Sequence, residues 1–141
     1  MMIPQQYSGR TLAGLALIVL LAAPGLTAQD KPKRPKLSVR SSPAMAFAPA
    51  TITLTAELKD GDNDFVEYYC LSVEWDWDDG TRSESSDDCE PYEAGKSEIK
   101  RRFSIQHKYN IYGVYNVQVR LKQRDKTVAA ARTRITVQAG R

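Results

Sequence analysis

The chain has 141 residues, with 20 Lys+Arg against 17 Asp+Glu and a formal net charge of +3 at pH 7. Charges of mixed sign this close to balance give no nucleic-acid footprint. A single histidine, His107, argues against a multi-histidine metal site and a His-based catalytic triad. The length suits one core of the usual ~100–150 residues rather than two.

The first 28 residues have the three-part layout of a secretory signal peptide. A polar start ends in Arg10, the apolar run Leu12–Ala23 follows, and Pro24-Gly25 breaks it ahead of the small residue Ala28. That run is shorter than the ~20 apolar residues of a spanning helix. A cleaved leader and a secreted or periplasmic protein are therefore expected, with no integral membrane span in the mature chain. No cysteine follows the run to carry a lipid. In an oxidising compartment Cys70 and Cys89 can pair in one way within a monomer. Such a loop adds ~3 kcal/mol in the chain-entropy model. A zinc site is short of ligands.

Residues 29–36 include Lys31-Pro32-Lys33-Arg34-Pro35-Lys36, a basic, proline-spaced stretch expected to be a solvated tether. Beyond it, over 37–138, the pattern is that of strands, with no helical period. Leu37–Val39 is a short first strand. Ile52, Leu54, Ala56 and Leu58 alternate on one face. Asp60-Gly61-Asp62-Asn63-Asp64 is a turn cluster. Tyr69, Leu71, Val73, Trp75 and Trp77 share the next parity, and Asp78-Asp79-Gly80 ends that strand. Residues 81–95 are polar and are expected to form a long loop. Ile99, Phe103 and Ile105 make a weaker strand, with Arg101 at the same parity as an inward charge of the edge-protecting kind. Tyr115, Val117, Val119 and Leu121 form a strong strand, which Arg124-Asp125-Lys126 turns into Ala129–Val137, and 139–141 is a tail. Strands each with one apolar face, and no helix to cover them, predict an all-β, two-sheet, immunoglobulin-like sandwich of about seven antiparallel strands.

Two stretches are more specific. Trp75-Asp76-Trp77-Asp78-Asp79-Gly80 is one; His107-Lys108-Tyr109 with Gly113-Val114-Tyr115-Asn116-Val117 is the other. Together they resemble the PKD (polycystic kidney disease) domain family, whose mark is Trp-Asp-Phe-Gly-Asp-Gly, then His-x-Tyr, then Gly-x-Tyr-x-Val. Trp77 stands where that family usually has Phe, and Asp78 where it usually has Gly. The cysteine pair is outside the family pattern. The resemblance implies an extracellular, non-catalytic module that binds proteins or carbohydrates. The motif residues Trp75, Trp77, Asp79, Gly80, His107, Tyr109, Gly113 and Tyr115 have structural work: the tryptophans share the core parity, and Gly113-x-Tyr115 looks like a tyrosine corner.

Binding candidates lie elsewhere. Tyr68 and Tyr112 fall on outward parity and Tyr92 in the polar loop. Glu74, Arg120, Arg132 and Arg134 point outward as possible cross-strand ion pairs or a recognition face. Asp60, Asp62 and Asp64 have one-three-five calcium-loop spacing, but Phe65 and Leu71 stand where an EF-hand needs Gly and Glu, so a plain turn is favoured. No nucleophile–base pair is readable and no catalytic residue, metal or cofactor is expected. The expected partner is a protein of the cell envelope, with a polysaccharide bound at Tyr92 and the 81–95 loop as the alternative.

Overall fold

A computed structural model describes residues 2–4, 9, 25 and 30–140. The segment read as a signal peptide, 1–28, falls almost wholly outside the described residues. Among those described, no helix is long and apolar enough to cross a membrane. The compact unit from Lys31 onward contains eight strands.

These are β1 (Lys36–Ser42), β2 (Met45–Phe47), β3 (Ala50–Lys59), β4 (Ser72–Asp76), β5 (Arg82–Ser85), β6 (Arg102–Tyr109), β7 (Gly113–Gln123) and β8 (Lys126–Gln138), with one 3-10 turn at Val66–Tyr68. One sheet has three strands in the order β1-β3-β6; the other has five in the order β2-β8-β7-β4-β5. All pairs are antiparallel except β2 with β8. Two sheets of alternating pattern close on each other because each has one apolar face to bury. Ile52, Leu54, Ala56 and Leu58 of β3 meet Val73 and Trp75 of β4 and Val117, Val119 and Leu121 of β7 in one core. Trp75 and Trp77 are both buried, in accord with their parity.

Three local expectations are corrected. Residues 81–95 are not all loop, because Arg82–Ser85 pairs with β4 as a sheet edge. Its all-polar sequence hides it: the Trp77 indole N–H donates to Ser83 Oγ at 2.9 Å, so this strand is held by polar contacts. The short β2 was not foreseen; it breaks the antiparallel rule by joining β8 in parallel register, Met45 opposite Thr136 and Phe47 opposite Gln138. Finally, Lys33–Pro35 is not a free tether. Lys33 N–H donates to Asp62 Oδ2, Asp62 N–H donates to Lys33 O at 2.9 Å, Arg34 pairs with Glu67 at 2.7 Å, and Pro35 is buried. Gly61 makes this possible. Its φ is +68°, and a Cβ there would sit 2.5 Å from Pro35 N and 2.7 Å from Lys33 O.

Arg101, expected as an inward charge, is half-buried just ahead of the edge strand β6 and reaches the adjoining turn instead of the core. Its guanidinium donates to the carbonyls of Leu58, Asp60 and Gly61 and to Asn63 Oδ1, so it ties up the β3 exit turn. Cys70 and Cys89 are disulfide-bonded, with Cα atoms 6.0 Å apart.

Candidate functional site

The two motif stretches meet at one end of the sandwich. Trp75 and Trp77 stack at 5.9 Å, and His107 lies on Trp77 at 4.2 Å with the rings 6° from parallel. Tyr109 meets His107 edge-on and contacts Tyr115 at 4.2 Å. Polar tips find partners: the Tyr109 hydroxyl donates to Trp77 O at 3.0 Å, and the Tyr115 hydroxyl donates to Ile111 O at 2.6 Å, which is the tyrosine corner expected from Gly113-x-Tyr115. His107 Nε2 is 2.7 Å from Asp79 Oδ2; since an ionised carboxylate only accepts, that nitrogen carries the proton. Asp79 also accepts from the backbone N–H and the hydroxyl of Thr81.

Partial burial is the largest influence on the Asp79 carboxyl and works to raise its pKa. The Thr81 and His107 hydrogen bonds together outweigh it and hold the carboxyl below its ordinary range. Burial, reinforced by the Asp79 charge, raises the Tyr109 phenol well above its ordinary range. The hollow lined by Asp79, Lys108, Tyr109, Asn110, Ile111 and Tyr115 has about 140 Å³, below the ~300 Å³ at which small-molecule sites begin. These groups do what a fold-stabilising network does.

The outer face of the five-stranded sheet is different. Register places Glu74 opposite Arg120, and Glu74 binds Arg120 at 2.7 Å and Lys122 as well. The hydrogen bonds from Lys122 and Arg120 hold the Glu74 carboxyl below its ordinary range against desolvation. Asp76 pairs with Arg82 at 3.2 Å. Arg132 and Arg134 have no ion-pair partner among the described residues. Beside them this face turns apolar. Met45, opposite Thr136, leads across β8 to Val114, which is also opposite Thr136, while Asn116 lies opposite Arg134. Phe47 is 55% exposed and Tyr112 66% exposed, and Met45, Val114 and Ile111 are exposed too.

Of the tyrosines singled out by sequence, only Tyr112 is open. Tyr68 is 1% exposed and is corrected to a core residue. Its ring meets Phe65 edge-on, the Arg34 guanidinium lies 5.9 Å from its centroid, and its hydroxyl donates to Val128 O. Alternation cannot be carried back to Tyr68, because it lies in the 3-10 turn and Cys70, with a φ of +55°, interrupts the extended backbone between that turn and β4. Tyr92 is half-buried against Tyr69, and its hydroxyl donates to Asp64. That bond lowers the Asp64 pKa and raises that of Tyr92. Gly95 N–H also donates to Asp64, so the loop is pinned.

The aspartates of the 60–64 turn are turned apart: Asp62 holds Lys33, Asp64 holds the 92–95 segment, and Asp60 supplies a backbone carbonyl to Arg101. No group of three or more metal-ligating side chains forms among the described residues.

A PKD domain family model matches residues 36–137, from the first strand almost to the end of the last. The chain belongs to the PKD domain family. The PKD domain of an M14-like peptidase from Thermoplasmatales archaeon SCGC AB-540-F20 superposes with a TM-score of 0.51 at 14% identity, over 77% of this chain and 99% of that one. The CARDB domain of the PF1109 protein from Pyrococcus furiosus, solved in complex with di-metal ions, superposes with a TM-score of 0.50 at 14% identity, over 77% of this chain and 97% of that one. At such identity both likenesses concern the fold alone. No curated protein matches this sequence.

The family is one of non-catalytic immunoglobulin-like modules, typically extracellular, that serve in interactions. Within this PKD domain the family motifs account for the ring stack and the two tyrosine hydroxyls. They do not account for the exposed Phe47, Met45 and Val114. Sequence reasoning missed these, and the available signal was Met45-Ala46-Phe47 between two X-Pro bonds, an alternation too short to assign.

Proposed function

We propose that this PKD domain is an exported, non-catalytic interaction module, secreted or periplasmic, that docks a protein partner on the outer face of its five-stranded sheet. The observation that carries the reading is the exposed Phe47, Met45 and Val114 set along β8 on the face that also bears the unpaired Arg132 and Arg134, with Tyr112 exposed just ahead of β7. Aromatic residues, Met and Arg are the types enriched at protein interfaces. Two free guanidinium groups next to them select a partner segment in which apolar side chains adjoin carboxylates. On the same face Glu74 and Asp76 are already neutralised by neighbours, and the unpaired acid Glu84 lies opposite Glu74 on the far edge strand, so the free charge on β8 beside the apolar residues is positive. The loop reading is less supported, because the Tyr92 hydroxyl is committed to Asp64 and its ring to Tyr69.

The test is affinity capture from the envelope fraction with the wild type, a Phe47→Ser/Tyr112→Ser variant and an Arg132→Ser/Arg134→Ser variant, all with matched melting temperatures. A protein held by the wild type and released by both variants supports the reading. Retention indifferent to both variants, or no retained protein, overturns it.

A further inference from the structure

The opposite face of the molecule has another character. Outward positions of the three-stranded sheet alternate with the buried ones of β3, so Thr51, Thr53, Thr55, Glu57 and Lys59 face solvent. Register fills out a grid around them. Lys36 lies opposite Lys59, Glu57 lies between Ser38 and Arg102, and Thr55 lies between Arg40 and Ser104. Thr53 then lies between Ser42 and Gln106, and Thr51 faces Lys108.

Five cations thus share this face with one acid. None of Lys36, Arg40, Lys59, Arg102 and Lys108 enters an ion pair among the described residues, and neither does Glu57. The other sheet neutralises most of its outward charge; this one leaves its charge open. Between the cations the surface is hydroxyl and amide, linked weakly: Thr55 Oγ1 to Ser104 Oγ at 3.4 Å and Gln106 Nε2 to Thr53 Oγ1 at 3.4 Å.

We propose that the outer face of the three-stranded sheet binds an acidic linear polysaccharide. Charge complementarity demands a polyanion. The central rows of neutral hydroxyl and amide groups suit the donor–acceptor surface of sugar hydroxyls. From Arg102 to Lys108 the strand runs about 20 Å, which accommodates an extended chain rather than a single sugar. Other polyanions fit less well. None of the outward residues of this face is aromatic, so nucleic-acid bases have no stacking platform. None is a large apolar residue, so a lipid surface has nothing to anchor on. An acidic peptide would find no apolar pocket for its side chains. The proposal concerns a different sheet and a different chemistry from the protein-docking face, and it stands or falls separately.

The test measures binding of the full chain to polygalacturonate and to heparin, with neutral dextran, double-stranded DNA, poly-glutamate and phosphatidylglycerol vesicles as comparisons. Two charge-matched variants, Arg40→Ser/Arg102→Ser and Arg132→Ser/Arg134→Ser, separate the site from net charge. The expected result is salt-sensitive binding to one or both acidic polysaccharides, weakened about tenfold in the first variant and by less than about twofold in the second. Amide chemical-shift changes on titration should centre on Thr53, Thr55, Ser104 and Gln106. No binding to either polysaccharide at low salt, equal losses in the two variants, tighter binding to DNA, poly-glutamate or vesicles, or shift changes confined to the other sheet would each overturn the proposal.

Discussion

His107 lies flat on Trp77, with ring centroids 4.2 Å apart and planes within 6°, while its Nε2 reaches Asp79 two residues further along the chain from that tryptophan. One imidazole therefore links the three-stranded sheet, from β6, to the turn that ends β4 in the other sheet. The side chains of His107 and Asp79 are only 19% and 22% exposed, so the contact is sheltered from bulk water. The lone histidine of this chain is a strut between the layers of the sandwich.

Asp79→Asn should cost about 1–3 kcal/mol at pH 7, since it weakens the charge-assisted bonds from His107 and Thr81 together. The pH dependence has a definite sign. The folded-state pKa of Asp79 is depressed by those bonds, so its contribution is complete above the ordinary carboxylate range near ~4 and is lost as pH falls through the lower folded value. Urea unfolding at pH 7 and pH 3 measures it: the gap between wild type and variant should narrow at the lower pH. An equal gap at both would show that the Asp79 charge is not what the network uses.

Trp77→Phe restores the residue more usual in the family and should keep the fold. The cost is expected at about 1–3 kcal/mol, because Ser83 Oγ loses the indole donor and a small void opens beside Trp75. Trp75→Ala removes a fully buried ring and should cost about 3–5 kcal/mol. Denaturant midpoints at constant m-value give the comparison; an equal cost for both would show that a Phe ring does not fill the buried Trp77 site.

Cys70→Ser/Cys89→Ser should lower stability by about 3 kcal/mol. The 86–97 segment has other anchors, in Tyr92 on Asp64, Tyr69 on Glu90 O and Lys100 on Asp87, so the variant is expected to remain folded. Near-ultraviolet circular dichroism and thermal melting, with and without a reductant on the wild type, report both quantities.

What could be read in advance follows from period and from what breaks it. Ile52, Leu54, Ala56 and Leu58 were legible because both faces of β3 keep strict alternation, and Tyr115 because its hydroxyl bond is local, four residues back to Ile111. Tyr68 was misplaced because parity was carried across Cys70, where a positive φ resets it. The β5 strand has no apolar face, and β2 depends on β8 about ninety residues away, so neither leaves a periodic mark. The open surfaces are least legible of all. The Lys36, Arg40, Arg102 and Lys108 grid exists only once β1, β3 and β6 lie side by side, and the apolar cluster only once β2 and β7 flank β8.

Asp78 offers the sharpest check on how this PKD domain departs from its family. Its φ is +58°, the left-handed region that a glycine adopts freely and other residues enter at a cost of about 1–2 kcal/mol. Asp tolerates the region better than most, and here the side chain adds something glycine lacks. Its Oδ2 accepts from the backbone N–H of Asn116 at 2.8 Å and so joins the β4 exit turn to β7. Two effects of similar size oppose each other: strain relieved by removing Cβ and a cross-turn hydrogen bond lost. Asp78→Gly should therefore lie within about 1 kcal/mol of the wild type. Asp78→Ala loses the bond and keeps the strain, so it should fall about 1–2 kcal/mol below the glycine variant. Hydrogen exchange at the Asn116 amide should speed up in both variants, because that amide loses the same acceptor in each. If alanine proved as stable as glycine there, the backbone strain at Asp78 would have no energetic weight; if the Asn116 amide stayed protected, the carboxylate would not be its acceptor.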